Sequence, residues 1–202
     1  IGALLSLPAM NEFLNINFRG GIASVVSLTP GLRSVMGLGA IDVGKKSVLR
    51  AILERKETVG IVADGINGIF VSATVKGDFE PFAILDKKGI CKLALQQGIR
   101  IEISYWFGNA NVLDAAVDPL GFMKWLSRKL KISLFLFYGR WFLPVPTREP
   151  IVMAVGEAVR VEKKVDNPTQ EQIDELHSRV MAAHKNLFDG LKVAYGGKDW
   201  TA

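Results

Sequence analysis

The sequence predicts an α/β fold in which helices flank a largely parallel sheet and a long C-terminal helix closes the layer. Short, nearly continuous apolar runs, typical of buried parallel strands, alternate with amphipathic segments that have the helical period. Hydrophobic residues make up 49% of the 202 residues, which is enough to bury one sizeable core. We therefore expect a single domain over residues 1–202.

The first element with a clear helical period is an amphipathic helix over residues 45–57. Val48, Leu49, Ile52 and Leu53 recur at helical spacing, and charged residues occupy the other side. A buried strand over the next residues would complete the first helix-strand unit.

That strand, residues 58–63, leads into the loop Asp64–Gly68. Ligand sites in open α/β sheets lie beyond the carboxyl ends of strands, so this loop is a candidate site and Asn67 a candidate substrate contact. Two glycines also suit a plain structural turn, and the chain has no GxGxxG, GxxxxGK[ST] or GxSxG sequence.

Two further helix-strand pairs follow. Asp86 is predicted to cap a helix that ends at Gly98, and residues 99–107 form the next strand. Asp118-Pro119 opens a helix through Leu130, and the strand of residues 132–138 comes after it.

The C-terminal region predicts a strand over 151–161 and then a long helix opened by Asn167-Pro168-Thr169. Steps of three and four residues place one apolar stripe on the side of that helix that faces the protein. The stripe consists of Ile173, Leu176, Val180, Ala183, Leu187 and Leu191.

Composition narrows the classes of function. A net charge of +5 combined with a mean hydropathy of +0.24 favours a membrane surface as partner. No nucleic-acid motif accompanies the basic residues, so we expect no nucleic-acid partner. Cys91 is the one cysteine and there are two histidines, which argues against a disulfide or a metal site. No run reaches the roughly 18–20 apolar residues that span a bilayer.

The most suggestive composition lies between Phe122 and Arg148. Such a segment could rest on a membrane or line an acyl channel, and core aromatics beside a solvated basic helix are an equal alternative. Its basic residues are Lys124, Arg128, Lys129, Lys131 and Arg140, and its aromatic residues include Trp125, Phe135, Phe137, Tyr138, Trp141 and Phe142.

Both histidines have an acidic neighbour in sequence. His184 and Asp189 are five apart and point about 140° away from each other on a continuous helix, so we interpret their spacing as coincidence. Asp174 and His177 are three apart and can meet. We expect these two to form a surface pair, with catalysis as the alternative.

Three stretches carry a family pattern in order and spacing. They are Lys87–Leu95 running on to Tyr105–Gly108; Tyr138–Arg140 followed by Pro144 and Val155–Glu157; and Pro168–Gln170 followed by Ile173 and His177.

Together these stretches resemble the type-2 diacylglycerol acyltransferase family. The resemblance implies an enzyme of the endoplasmic reticulum membrane or lipid droplet that moves a fatty acyl group from acyl-CoA to the hydroxyl of diacylglycerol. Related members use monoacylglycerol or long-chain alcohols. Acyl-CoA is then a co-substrate and no cofactor is expected. The expected partners are acyl-CoA, the acceptor and a membrane surface, and a second copy of the chain stays open.

The family's catalytic His-Pro-His-Gly sequence is absent from the chain. The resemblance implies that this histidine lies upstream of Ile1, that the chain is an N-terminally incomplete fragment, and that the fragment alone is inactive. The family also shows a Gly-Gly-Ala-Ala-Glu-like loop where this chain has Asp64–Gly68, a departure that bears on the choice of acceptor.

We assign four candidate substrate-binding residues within this reading. Lys88, Gly89 and Arg140 are expected to contact acyl-CoA phosphates, because amides at a helix start and a guanidinium suit phosphate oxygens. Asn67 completes the set. Two alternatives remain: a non-catalytic membrane-surface lipid-binding module, and a soluble phosphate-handling α/β enzyme.

Overall fold

The structure is a computed structural model. Its chain divides into two compact units, unit 1 with residues 1–66 and 118–135 and unit 2 with residues 67–117 and 136–202. Each is described by itself, and the single-domain interpretation stays a prediction. The structure describes residues 11–12, 17–22, 39–62, 88–108, 114–115, 125–126, 129, 137–143, 145, 147–148 and 150–196.

Unit 1 contains a three-stranded parallel sheet. Strand β1 (Phe18–Ile22) lies between β2 (Ala40–Asp42) and β3 (Thr58–Gly60), with Gly20 opposite both Ala40 and Gly60. A Cβ atom at Gly60 would overlap the ring of Phe18, so only glycine lets the two strands approach this closely. The predicted parallel sheet is confirmed here.

The predicted helix over 45–57 is confirmed with an earlier end. Helix α1 (Lys45–Leu49) continues as a π-helical turn, Arg50–Glu54, and buries Val48 and Ala51. Lys56 has a φ of 56°, which a helix cannot continue. The strand after it ends at Gly60, and Asp64–Gly68 lie outside the described residues.

A buried carboxylate joins the helix to the sheet of unit 1. The side chain of Glu57 is 7% exposed, and its Oε1 accepts a hydrogen bond from Arg19 Nε at 3.0 Å. Arg55 Nε lies 3.1 Å from the second carboxylate oxygen, close enough for an ion pair but without hydrogen-bond alignment. Because both guanidiniums are partly exposed, only the carboxylate is removed from water.

Unit 2 is built on helix α2 (Gly89–Gln97), which is confirmed. Gly98 ends it with a φ of 67° and donates its N–H to the carbonyl of Ala94 at 2.8 Å, as the sequence predicts. The cap is a correction: Lys88, not Asp86, is the N-cap residue. The helix starts at a glycine, whose missing side chain gave no apolar period to mark the boundary.

Strands β4 (Ser104–Phe107) and β7 (Val152–Val155) pair antiparallel beneath the helices. The predicted strands 99–107 and 151–161 are confirmed in part, because outside β4 and β7 the pairing continues only as one isolated bridge between Ile101 and Val159.

The longest helix of the described residues, α3 (Gln170–Gly196), begins where the sequence predicts. Thr169 and Gln172 form a capping box: the Thr169 N–H donates to Gln172 Oε1 at 3.0 Å and the Gln172 N–H donates to Thr169 Oγ1 at 3.3 Å. Two donors at the helix start are thereby satisfied.

The apolar stripe of α3 is confirmed over most of its length. Its last member, Leu191, is exposed, and the neighbouring position Phe188 is fully buried instead. The helical period of 3.6 makes a seam of steps of three and four drift around a straight helix, so the last turn faces elsewhere. The core of α2, α3 and the strands comprises Cys91, Ala94, Leu95, Ile103, Val159, Ile173, Leu176 and Val180.

A second two-stranded pair completes unit 2. Strands β5 (Asp114–Ala115) and β6 (Phe137–Tyr138) pair antiparallel, and a 3₁₀ turn, Arg140–Phe142, follows. The α/β class is therefore confirmed, and among the described strands the parallel pairing belongs to unit 1 and the antiparallel pairing to unit 2.

Two predicted elements fall mainly outside the described residues. Of the helix 118–130, Trp125, Leu126 and Lys129 are described and are helical, and of the strand 132–138 the last two residues are described. Within the described part of the chain, no helix has both the length and the apolar character that crossing a bilayer demands.

Candidate functional site

The N-terminus of α2 is the first place where predicted site residues meet other groups. Helix starts leave backbone N–H groups without intrahelical partners and carry partial positive charge, which suits phosphate. Gly89 is the first helical residue, and a Cβ there would contact no atom within 4 Å. Gly89 thus lies at a helix start, as predicted from the sequence.

Lys88 lies at the same helix start but is already engaged. Its Nζ is 2.9 Å from Oδ1 of Asp174 on α3, and Gln170 Nε2 donates to the same oxygen at 2.7 Å. The hydrogen bond from Lys88, followed by that from Gln170, lowers the pKa of the Asp174 carboxyl below its ordinary value. A phosphate at this helix start would have to compete with Asp174 for the Lys88 ammonium.

His177 lies one turn after Asp174 on α3 and is 8% exposed. The prediction of a surface pair is therefore wrong for the histidine, although Asp174 itself is half exposed. The error has a simple cause: His177 directly follows Leu176, a core residue of the stripe, and the buried face of α3 is wide enough to include both. The structure thus brings Lys88, Asp174 and His177 to one region.

The other histidine confirms the interpretation of coincidence. His184 and Asp189 lie on the same unbroken helix, and the Asp189 carboxylate takes lysines as partners, Lys185 at 2.8 Å and Lys192 at 2.8 Å. Burial lowers the pKa of the His184 imidazole below its ordinary value, while a hydrogen bond with the Val180 backbone opposes this.

Arg140 lies in the 3₁₀ turn after β6, where its guanidinium carbon is 4.3 Å from the centre of the Trp141 ring. This is cation–π geometry. The fourth predicted contact, Asn67, lies outside the described residues. The substrate contacts predicted for Arg140 and Asn67 stay predictions.

An aromatic cluster fixes the end of the strand pair against α3. Tyr105 meets Phe107 and Phe188 edge-on, with ring centres 4.7 Å and 5.2 Å apart, and the last two rings stack at 5.8 Å. Such pairs add to the stabilisation from buried area. Their role is structural, because Phe107 and Phe188 are fully buried.

Sequence reasoning missed the partner of Lys88 and the clamp on Glu57, by which we mean the two arginines, Arg19 and Arg55, beside its buried carboxylate. For the first, Lys88 and Asp174 lie within the first and third family stretches, but no sequence pattern predicts that their side chains meet. For the second, Arg19, Arg55 and Glu57 form no recognisable motif. Among the described residues, no group of His, Cys, Asp or Glu side chains could hold a metal ion.

Comparison with known proteins gives a consistent result. The family model described as "Diacylglycerol acyltransferase" matches residues 12–201. The protein named Diacylglycerol O-acyltransferase 1 of Eremothecium gossypii is 33% identical over 178 residues, which is 82% of this chain and 38% of that protein. Its namesake in Saccharomyces cerevisiae is 30% identical over 176 residues, 82% of this chain and 41% of that protein.

A third relative carries a different name. Acyl-CoA wax alcohol acyltransferase 2 of Homo sapiens is 29% identical over 178 residues, 83% of this chain and 53% of that protein. The chain thus spans about two fifths to one half of the length of these relatives. No solved structure matches it. Since the family model covers nearly all of the chain, the chain belongs to the diacylglycerol acyltransferase family.

Proposed function

We propose that the protein transfers a fatty acyl group from acyl-CoA to the hydroxyl of diacylglycerol, giving triacylglycerol, and that it does so at the endoplasmic reticulum membrane or the lipid droplet. The observation that carries this proposal is the family match over residues 12–201. The two fungal relatives named diacylglycerol O-acyltransferase favour diacylglycerol as the acceptor.

The fold of unit 2 supports this reading. The first and third stretches that resemble the family supply half of the core in which α2 and α3 pack, namely Cys91, Ala94, Leu95 and Ile173. The second stretch supplies Tyr138 of β6 and Val155 at the end of β7. A family pattern carried by one packed unit is what a shared fold requires, because each stretch depends on the others for burial.

The proposed reaction forms one ester bond and breaks one thioester bond. The acceptor hydroxyl loses its proton to a general base, its oxygen attacks the thioester carbonyl, and the CoA sulfur leaves and takes up a proton. We assign no general base among the described residues. The role that we assign to the described residues is substrate binding. Lys88 and the amides at the start of α2 meet phosphate groups of acyl-CoA.

The test of the activity uses the full-length protein in membranes. Labelled oleoyl-CoA is offered with diacylglycerol, monoacylglycerol or a long-chain alcohol, and the ester products are separated. We expect the highest turnover with diacylglycerol. Transfer to no acceptor would contradict the proposal and favour a non-catalytic lipid-binding module.

A long-chain alcohol is the second candidate acceptor, supported by the similarity to the human protein named acyl-CoA wax alcohol acyltransferase 2. Higher turnover with the alcohol than with diacylglycerol in the same assay would select it. Monoacylglycerol is distinguished in the same way, by its diacylglycerol product.

The phosphate role of Lys88 is tested by its ion pair with Asp174. Lys88→Gln should raise the KM for acyl-CoA about tenfold, the equivalent of one charge-assisted hydrogen bond. Asp174→Asn, which releases the ammonium from its competitor, should leave this KM unchanged or lower it. Lys163→Gln, at an exposed lysine, is the matched control.

The two variants separate binding from structure. If Lys88 acts only through its ion pair with Asp174, Lys88→Gln and Asp174→Asn will change thermal stability alike and neither will change the KM. That outcome would remove Lys88 from the acyl-CoA site and leave the acyl-transfer proposal to the turnover assay.

A further inference from the structure

The turn after β6 exposes three consecutive large apolar side chains, which we call the aromatic tip: Trp141, Phe142 and Leu143. Their exposed fractions are 68%, 86% and 53%. Single exposed apolar residues are normal on a protein surface, whereas a contiguous group points to a contact outside the chain. Core packing, one of the two interpretations of this segment, is excluded for these residues.

The backbone holds the aromatic tip in one closed turn. Gly139 N–H donates to the carbonyl of Leu143 at 2.8 Å, and Arg140 N–H donates to the carbonyl of Val145 at 2.9 Å. These bonds join the two sides of the tip, so the three side chains project from a fixed base. Little conformational entropy then remains to be lost when the tip binds.

The tip also carries backbone strain. Trp141 and Phe142 have φ angles of 59° and 58°, in the left-handed region that residues with a Cβ disfavour. Two consecutive aromatic residues with positive φ lie at positions where Asn or Gly would be easier. No burial explains these residues, because both are largely exposed.

A cation accompanies the exposed rings. The guanidinium of Arg140 lies over the Trp141 ring at 4.3 Å, and Arg148, on the outgoing segment, is exposed. In a bilayer, the lipid phosphate groups lie directly above the interfacial region that Trp and Phe prefer. The rings can therefore occupy the interfacial region while the neighbouring arginine contacts the phosphates.

The same combination occurs in unit 1. Trp125 is exposed, and Lys129 Nζ lies 5.0 Å from the centre of its ring. An exposed tryptophan beside a cation is therefore found in each unit of this chain, which also has a net charge of +5. Charge of this sign favours an anionic lipid surface.

We propose that the aromatic tip inserts into the interfacial layer of an anionic phospholipid bilayer, with Arg140 at the lipid phosphates. The inference does not depend on acyl transfer. A second copy of this chain is the competing occupant, and the quenching experiment below distinguishes it from a bilayer. Arg140 is thereby assigned to the membrane surface instead of acyl-CoA.

The test measures the depth of Trp141 in membranes. The full-length protein is reconstituted in phosphatidylcholine vesicles, with or without phosphatidylserine, in which the lipids carry bromine near the glycerol or near the chain end. We expect shallow bromines to quench part of the tryptophan fluorescence, and Trp141→Phe to remove that part. Trp106→Phe, at a tryptophan of β4, is the control that should leave it.

Two further variants test the roles of the ring and the cation. Phe142→Asn suits the positive φ and should lower the equilibrium for insertion by roughly tenfold or more, as expected for one phenyl ring. Arg140→Gln should weaken the dependence of insertion on phosphatidylserine. Val193→Asn, at an isolated exposed apolar residue of α3, should change neither.

Three outcomes would overturn the inference. Trp141 could be quenched by aqueous acrylamide and not by bromolipids, which would place the tip in water. It could be shielded from both quenchers, which would indicate a protein partner or a second copy. A raised KM for acyl-CoA in Arg140→Gln, with unchanged dependence on phosphatidylserine, would return Arg140 to the acyl-CoA site.

Discussion

Two groups of aromatic residues in unit 2 have opposite surroundings. Phe107 and Phe188 are fully buried and stack on each other between the strand pair and α3, whereas Trp141 and Phe142 project from a turn. Both groups are rigid, the first through packing and the second through backbone hydrogen bonds. The buried rings therefore stabilise the fold through their packing, whereas the exposed Phe142 ring, which stacks on Tyr138 at 5.8 Å between ring centres, adds little, so the two groups should respond differently to mutation.

The largest effect is expected at the buried ring. Phe188→Ala leaves a cavity where three rings meet and should lower the free energy of unfolding by about 3–5 kcal/mol. Phe142→Ala should change it by less than about 0.5 kcal/mol, the usual range for an exposed site. Urea denaturation of both variants measures the contrast, and equal losses would end the comparison.

The comparison extends to charged groups in unit 1. Glu57→Gln keeps the size of the buried side chain but removes the charge between Arg19 and Arg55, and should cost about 2 kcal/mol of unfolding free energy. Glu54→Gln is the matched control, since its side chain is 70% exposed and 3.6 Å from Arg50. Its cost should stay below about 0.5 kcal/mol. A Glu57 variant as stable as the control would show that the clamp is dispensable.

At the aromatic tip, mutation should stabilise the protein in solution. Phe142→Asn places a residue that tolerates positive φ where a phenyl ring is strained and 86% exposed, so the free energy of unfolding should rise by up to about 1 kcal/mol. The same variant should weaken insertion into vesicles. Stability in solution and membrane insertion should therefore change in opposite directions, which tests the comparison most directly. A loss of stability would mean that the ring supports the fold after all.

The smallest effect concerns a partly buried titratable group on α3. Burial lowers the pKa of His184 in the folded protein below the ordinary histidine value of 6.5. When the pH falls below 6.5, the unfolded chain therefore takes up a proton before the folded protein does. The contribution of His184 to stability is full above pH 6.5 and is lost as the pH falls through the folded pKa. His184→Gln should flatten the stability profile in that window, and parallel profiles for both proteins would contradict this.

The sequence predicted the elements that obey a period and an end signal. Residues 45–49, α2 up to Gly98, and α3 from Thr169 were identified because amphipathic spacing and turn or cap residues agree there. The start of α2 was misplaced because Gly89 has no side chain to show a period. The burial of His177 was also missed, because the spacing of the apolar residues on a helix does not show how wide the buried face is.

The candidate site was predicted less completely than the fold. The motifs placed Lys88 and Gly89 at a helix start correctly, but they gave no indication that Asp174 already engages the ammonium. Ion pairs between distant residues depend on tertiary geometry that periodicity does not encode. The aromatic tip shows the same limit: composition marked the segment, and only the structure separates exposed rings from buried ones.

The pairing of α2 with α3 has a consequence for how the chain folds. The two helices share one core, yet strands β4 to β7 lie between them in sequence. On the ribosome, the apolar face of α2 must therefore wait until α3 has been synthesised before it can be buried, and contacts this remote slow folding. During that interval Cys91, Leu95 and Ile103 are exposed to other apolar surfaces. A nearby membrane or a chaperone would then protect the nascent chain from aggregation.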